Sequence, residues 1–174
     1  MIRAETPQGT SVYRYDALSR RIAKHTAQGE TRFQYDGPRL LAETDSQRSR
    51  TYLFEPGSFR PLALHEQDNT QAGGNTYHYH LDHLGTPREL TDNQGQIVWS
   101  ARYRAYGNLA LADVEEIENP LRFQGQYFDA ETGLQYNLNR YYEILTRGGL
   151  FIRIRLGWQG GAICTDTCLI RSTD

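Results

Sequence analysis

Residues 119–142 constrain the fold more than any other stretch, because aromatic side chains recur there at short, even intervals. Such intervals are typical of β-strands, whose successive side chains face opposite ways: Phe123, Tyr127, Phe128, Tyr136, Tyr141 and Tyr142. Residues 129–133, Asp-Ala-Glu-Thr-Gly, supply a turn, since Asp can bond the amides that follow it and Gly can adopt positive φ. The stretch therefore predicts strands with Tyr127, Tyr136 and Tyr142 on buried faces.

A weaker version of this pattern recurs upstream. Tyr-Asp dipeptides at positions 15–16 and 35–36 open two repeat units twenty residues apart, and residues 77–107 form a third unit. Residues 26–29 read as the hairpin connection of the first unit. A unit of this kind cannot bury its aromatic face alone, so we expect the units to stack side by side into an extended sheet.

Composition favours short strands over helices. The 174 residues include twelve Tyr and six Phe, yet the hydrophobic fraction is only 38%, so any core must rely on aromatic side chains. Sixteen Gly and six Pro favour frequent turns, and no long apolar helical periodicity is visible. We therefore predict an all-β fold in which antiparallel hairpin repeats form a curved or spiral sheet, followed by a disordered or irregular C-terminal tail.

Charge and targeting signals exclude several classes of partner. A formal net charge of -2 gives no electrostatic footprint for nucleic acid, and no stretch approaches the roughly 18 apolar residues of a membrane span. Met1–Thr6 lacks the apolar segment of a secretory signal. Cys164 and Cys168 lie together near the C-terminus and cannot form a disulfide framework like that of small secreted domains.

One run of residues suggests metal chemistry. His78, His80, Asp82 and His83 match the metal-binding signature of metallo-β-lactamase-like hydrolases. A working zinc site of that class needs further histidines later in the chain, and His83 is the last one. We therefore predict no metal and no cofactor, and interpret this run as the turn motif of the third repeat. The zinc site remains the alternative.

No other pattern predicts catalysis. The carboxylate pairs Glu115-Glu116 and Asp129 with Glu131 could serve as acid and base, but nothing directs them to a shared cleft. No nucleophile elbow, phosphate loop or Cys with a downstream His is present. The alternation of Arg and Tyr at residues 102–106 could stack on bases, yet it is also typical of a half-buried strand, which we favour.

The sequence resembles one family closely, the Rhs or YD-repeat proteins, whose repeat region ends in a repeat-associated core. The core resemblance rests on Asn119-Pro120-Leu121-Arg122-Phe123-Gln124-Gly125-Gln126-Tyr127, on Asp129-x-x-Thr132-Gly133-Leu134-x-Tyr136-Asn137, and on Arg140-Tyr141-Tyr142. The repeat resemblance rests on Tyr15, Asp16, Tyr35, Asp36, Asp82, Gly85 and Pro87. Ser19 stands where the family usually has glycine.

The resemblance implies YD-repeat hairpins at 12–107, the core segment at 119–142 and a structural role. The residues themselves suggest an N-terminal leader at 1–11, an acidic connector with one short helical turn at 108–118 and an aberrant tail at 143–174. Rhs repeats wind a β-shell around a C-terminal toxin. The chain would thus be a non-catalytic, truncated or degenerate shell fragment without its toxin. Its expected partners are the rest of the shell and that toxin, with self-association through exposed strand edges.

The tail departs from the family pattern. The family continues with two Asp-Pro segments whose aspartates are associated with self-cleavage, whereas residues 143–161 contain no Asp. A shift of reading frame at codon 143 would account for this, since every codon from Glu143 to Gly161 is compatible with the family motif. The resemblance implies a cytoplasmic location for a fragment and a secreted or cell-surface one for intact members. The alternatives are a zinc hydrolase, a self-cleaving aspartyl protease core, or a toxin-binding immunity protein.

Overall fold

All regular structure in the described part of the chain is β-strand. The computed structural model describes residues 3–7, 9–103, 109–123, 125–138, 140–144, 151–159 and 162–168, with backbone alone for 109–112 and from 142 onward. Among these residues there is no helical segment with the length and apolar character that a membrane crossing requires. The all-β prediction is confirmed.

The described residues form two antiparallel sheets. The first sheet has eleven strands in sequence order: β1 (Arg3–Thr6), β2 (Gly9–Tyr15), β3 (Arg21–Thr26), β4 (Gly29–Asp36), β5 (Arg39–Thr44), β6 (Arg48–Phe54), β7 (Pro61–Asp68), β8 (Asn75–Leu81), β9 (Pro87–Thr91), β10 (Ile97–Tyr103) and β11 (Leu109–Glu115). The second has five: β12 (Tyr127–Asp129), β13 (Leu134–Asn137), β14 (Arg140–Ile144), β15 (Phe151–Gln159) and β16 (Ala162–Cys168). The first sheet is open, with β1 and β11 as its edges.

The chain divides into two compact units. The first combines residues 1–30 with 126–174, and the second is continuous from 31 to 125. The second unit has an aromatic and aliphatic core made of Tyr52, Leu64, Tyr77, Tyr79, Leu90, Val98, Trp99, Ala101 and Leu121. Strand alternation explains this core, since Tyr77 and Tyr79 are buried on β8 whereas His78 and His80 on the other face are exposed.

A β-bulge recurs near the C-terminal end of five strands of the first sheet, each time beside an aromatic or leucine residue. The register steps by one residue between Arg14 and Tyr15, Gln34 and Tyr35, Leu53 and Phe54, His80 and Leu81, and Arg102 and Tyr103. A bulge leaves one residue of the partner strand unpaired and increases the local right-handed twist. Five strand ends among the described residues of the first sheet therefore share this feature.

The turn at Asp82 shows how such a reversal is stabilised. One carboxylate oxygen, Oδ1, accepts hydrogen bonds from the amides of Leu84 and Thr86, both at 2.9 Å. The Asp82 carbonyl accepts a third bond from the Gly85 amide at 3.0 Å, and Gly85 has φ 84°. Asp82 is therefore engaged as the organising residue of a turn, as predicted from its position in the repeat.

The turns at Asp16 and Asp92 have the same hydrogen-bond pattern, with Oδ1 accepting two amide bonds in each. At the position of Gly85, the Asp92 turn has Gly95 with φ 81° and the Asp16 turn has Ser19 with φ 62°. A non-glycine residue in this left-handed conformation is strained. The backbone at Ser19 thus has the conformation that glycine adopts most easily.

Two sequence-based expectations are wrong. The connector predicted at 108–118 contains strand β11 and no helical turn: it pairs with β10, with Trp99 opposite Glu115 and Ala101 opposite Ala112. The tail predicted to be irregular contains β15 and β16, and β15 pairs with β14 through Ile152 opposite Glu143. In both cases a neighbouring strand edge supplies backbone partners to a segment whose residues alternate in character with period two.

Candidate functional site: the Arg21 cluster

The most deeply buried charges of the first unit form one ion pair. Arg21 at the start of β3 and Asp129 at the end of β12 are both 0% exposed, and Arg21 Nη1 donates to Asp129 Oδ2 at 2.5 Å. Lys24 Nζ lies 3.4 Å from Asp129 Oδ1 and 3.2 Å from Glu131 Oε2. These four residues and the tyrosines around them are called the Arg21 cluster below; the tyrosines are Tyr13, Tyr15, Tyr127, Tyr136 and Tyr141.

Three aromatic rings surround the Arg21 guanidinium. Its central carbon lies 4.4 Å from the ring centroid of Tyr136, 5.1 Å from that of Tyr127 and 5.4 Å from that of Tyr13. The negative ring faces attract the cation where water is excluded. Burial lowers the pKa of Arg21, but the charge of Asp129, its hydrogen bond to Arg21 and the nearby tyrosines together outweigh burial and raise that pKa, so Arg21 stays charged.

The tyrosine hydroxyls extend the hydrogen-bond network. Tyr136 Oη accepts a bond from the backbone amide of Arg21 at 2.9 Å, and the hydroxyl oxygens of Tyr15 and Tyr141 lie 2.6 Å apart. Burial raises the pKa of both Tyr15 and Tyr141, so both remain neutral phenols near pH 7. The cluster thus holds one charged guanidinium among neutral rings, with the charge balanced by Asp129.

The Arg21 cluster joins segments that are far apart in the sequence. Arg21 and Asp129 are separated by 108 positions, and Tyr15 and Tyr141 by 126. Both carboxylate oxygens of Asp129 face cations, and Lys24 bridges Asp129 to Glu131, so this acid pair is engaged structurally. Removing one partner of a buried ion pair typically costs about 3–5 kcal/mol, because the other charge is left uncompensated. The arrangement therefore fixes the hairpin β2–β3 against β12–β14.

The turn between β12 and β13 differs from the expectation in one respect. The carbonyl oxygen of Asp129 accepts bonds from the amides of Thr132 at 3.1 Å and Gly133 at 2.8 Å, and the Asp129 carboxylate binds Arg21 and Lys24 instead of its own amides. Gly133 has φ 70°, so the predicted use of positive φ is confirmed. Sequence reasoning missed the role of the carboxylate because its partner lies on another strand pair.

Asn119 and Arg122 organise a buried loop of the second unit. Asn119 Oδ1 accepts bonds from the Tyr79 hydroxyl at 3.0 Å and the Leu121 amide at 3.2 Å. Arg122 Nη1 donates to the carbonyl oxygens of Asn119 at 2.6 Å and Leu121 at 3.0 Å. Pro120 between them is also buried. These polar side chains hold the backbone of the loop.

A second buried charge network in the same unit was not predicted. Arg50 Nε lies 2.6 Å from Glu66 Oε2, Arg50 Nη1 lies 3.3 Å from Glu43 Oε1, and the Tyr52 hydroxyl donates to Glu43 Oε1 at 2.7 Å. Strand alternation offered a signal, because Arg50 and Tyr52 share the buried face of β6. The partners lie on neighbouring strands, however, and only the register brings them together.

The other predicted motif residues occupy turns and half-buried strand positions. Tyr15 and Tyr35 are half-buried, and Asp36 is exposed with its Oδ2 2.5 Å from Arg39 Nη2. Gly85, Pro87, Tyr127, Tyr136 and Tyr141 are buried, Phe123 is 41% exposed, and Gly125 and Arg140 are exposed. Thr132 Oγ1 accepts a bond from the Leu134 amide at 3.3 Å. The side chain of Tyr142 lies outside the described part of the structure.

The candidate zinc ligands do not converge. His78 and His80 are exposed, with His78 Nε2 3.3 Å from Asn93 Oδ1 and His80 Nε2 3.0 Å from Thr91 Oγ1. Asp82 is committed to its turn, and His83 is exposed. Among the residues that the structure describes, no group of three or more His, Cys, Asp or Glu side chains could hold a metal ion.

Comparison with known proteins connects the sheet to one family. Residues 76–113 match the family model described as RHS protein. The toxin protein Tse5 of Pseudomonas aeruginosa is 37% identical over 161 residues, which cover 75% of this chain and 12% of Tse5. The double-stranded DNA deaminase toxin A of Burkholderia cenocepacia is 33% identical over 177 residues, which cover 86% of this chain and 12% of that protein. The chain thus spans a small part of these relatives.

Solved structures share the fold. The Photorhabdus luminescens Tc holotoxin pore superposes with a TM-score of 0.59 at 22% identity, covering 77% of this chain and 7% of the matched one. The complex of TcdB2 with TccC3 without its hypervariable C-terminal region gives the same TM-score, identity and coverage. The strand order, the family-model match and the identity to Tse5 agree, and the chain belongs to the Rhs family.

Proposed function

We propose that the chain is a non-catalytic wall segment of an Rhs-type shell that encloses a toxin. Residues 12–107 supply the wall, residues 119–142 the core segment, and residues 143–174 replace the family's continuation. Its partners are the rest of the shell and the enclosed toxin.

The observation that carries this proposal is the succession of eleven antiparallel strands in sequence order, with a bulge near the end of five of them. An open sheet of this kind can be extended by further repeats at its edges, as a wall requires. The buried charges support the same reading, because Asp129 and Glu43 are used in ion pairs that join strands.

The relatives support the assignment as a wall segment, but their activities are not assigned to this chain. Two of them are named as toxins, one of which is a DNA deaminase, and the matched region is 12% of each. Those names describe proteins roughly eight times longer than the matched region, so the region shared with this chain is compatible with a structural part.

A chimera tests the proposal. The segment of Tse5 that aligns with this chain is replaced by the corresponding residues of the chain, and the digestion of the purified chimera by a broad-specificity protease is followed. We expect the chimera to be digested no faster than Tse5 under the same conditions. The matched control carries Asp129→Ala in the same chimera, which breaks the ion pair with Arg21 and should increase the rate of digestion.

The isolated chain distinguishes failure of the graft from failure of the proposal. If near-ultraviolet circular dichroism shows that the isolated chain is folded, and the chimera is nevertheless digested as fast as its Asp129→Ala variant, the wall assignment is wrong. Stoichiometric zinc in the purified chain that is lost with His80→Ala would also contradict the proposal, in favour of a hydrolase.

A further inference from the structure

The first unit is assembled from two segments that a whole second unit separates. Residues 1–30 and 126–174 form one compact body, and residues 31–125 form the other. The hairpin β2–β3 therefore completes its core with a hairpin that the chain supplies more than one hundred positions later. The chain crosses between the units at only two places, after Glu30 and after Gly125.

The two surfaces that meet in the first unit are complementary in charge. Hairpin β2–β3 contributes the cations Arg21 and Lys24, and the segment from β12 to the turn contributes the anions Asp129 and Glu131. Tyr136 adds a hydrogen bond to the Arg21 amide and packs over its guanidinium. Charge complementarity makes the binding between two such surfaces specific, whether both belong to one chain or each belongs to a different chain.

We propose that the Arg21 cluster also closes between two copies of the chain. In this form residues 126–141 of one copy, called the exchanged segment, bind hairpin β2–β3 of a second copy. The exchanged segment of the second copy binds hairpin β2–β3 of the first. The product is a domain-swapped dimer in which every contact of the Arg21 cluster is retained. This inference is independent of the proposed shell function, because it concerns only the surfaces that the chain itself contains.

Concentration decides between the closed monomer and the swapped dimer. Closing the cluster within one chain does not depend on protein concentration, whereas exchange joins two chains, so the yield of the swapped dimer rises with protein concentration. The second unit has its own hydrophobic core, so it can fold before the cluster closes. Refolding at high protein concentration therefore favours the swapped dimer.

Two charge-reversed variants of the full chain test the exchange. In Arg21→Asp the position of the ion pair contains two aspartates, and in Asp129→Arg it contains two arginines. Neither variant can restore the pair within one chain or in a swapped dimer with itself. When the two are mixed, denatured and refolded together, exchange places the native Arg21 of one chain against the native Asp129 of the other. The two substituted side chains, which are also opposite in charge, meet in the second copy of the cluster.

We expect the mixture to form a heterodimer, with a dimer fraction at least about tenfold above that of either variant refolded alone. Size-exclusion chromatography with light scattering gives the mass, and native mass spectrometry with one isotopically labelled chain gives its composition. The double variant Arg21→Asp with Asp129→Arg in a single chain should behave like the parent, because it restores the pair within the chain.

A second variant pair covers the case in which these buried substitutions prevent folding. Lys24→Glu and Glu131→Lys reverse the peripheral pair, whose side chains are partly accessible to solvent. The same mixing protocol should give heterodimer there as well. A mixture that refolds without heterodimer for both pairs overturns the proposal. So does a dimer that forms equally well from each variant alone, because it would use strand edges in place of the cluster.

Discussion

Replacing Ser19 by glycine should stabilise the protein. Ser19 has φ 62°, and the equivalent positions in two turns with the same hydrogen-bond pattern are Gly85 and Gly95. The hydrogen bonds of Ser19 in the structure use its backbone: the amide donates to the Asp16 carbonyl at 3.0 Å, and the carbonyl accepts from the Tyr136 hydroxyl at 3.5 Å. Ser19→Gly therefore keeps these bonds and removes only the strain.

Two opposing contributions set the size of the effect. A left-handed conformation costs a residue with a Cβ about 1–2 kcal/mol. Glycine has more conformational freedom in the unfolded chain, which costs about 0.4–1 kcal/mol on folding. The difference predicts that Ser19→Gly raises the free energy of unfolding by about 0.5–1 kcal/mol.

Urea denaturation followed by tyrosine circular dichroism measures this change, with a slope of about 1–3 kcal/mol/M, so the midpoint should rise by about 0.2–1 M. Gly95→Ser is the reverse control: a Cβ there meets no atom within 4 Å, so its destabilisation reports the backbone alone. Ala17→Gly reports the entropic cost alone, because Ala17 does not have positive φ. If Ser19→Gly lowers stability as much as Ala17→Gly does, the strain argument is refuted.

Four further outcomes are expected. Tyr136→Ala should lower the free energy of unfolding by about 3–5 kcal/mol, as truncation of a buried aromatic does; a melt like that of the parent would mean that the cluster is not a core. Gly133→Val should destabilise through φ 70° alone, since a Cβ there meets no atom within 4 Å, and Gly133→Ala should give a smaller loss. Burial alone would raise the pKa of Asp16, but hydrogen bonds from Arg20 and from the Leu18 amide hold that pKa below its usual range. The contribution of Asp16 to stability is therefore present above its pKa in the unfolded chain and is lost as the pH falls through its pKa in the folded protein. Asp16→Asn should abolish this part of the pH dependence, which urea midpoints measured at acidic pH values would report. Purified protein should keep its intact mass, and a discrete fragment in mass spectrometry would reopen the self-cleavage hypothesis.

The sequence by itself determined the strand class and the positions of several turns. The aromatic residues of the stretch 119–142 predicted buried positions at Tyr127 and Tyr136, and both are buried. The hairpin connection near residue 27 lies where Gly29 indicated. Gly133 was predicted as a turn position with positive φ, which it has, and Ser19, which stands where the family usually has glycine, also has positive φ. These features can be predicted from the sequence because the alternation of side chains along a strand and the conformation of a turn depend on residues that are neighbours in the chain.

Tertiary structure decided which strands and which charges meet. Asp129 looked like a turn residue in the sequence, yet its carboxylate binds Arg21, which is 108 positions away. Strand β11 exists because β10 offers it a backbone edge, although its acidic sequence suggested a connector. The network of Glu43 and Arg50 likewise depends on the register of β5 against β6. Pairing over such distances depends on sheet register and chain topology, which no local pattern encodes, because a shift of one residue would reverse every buried face.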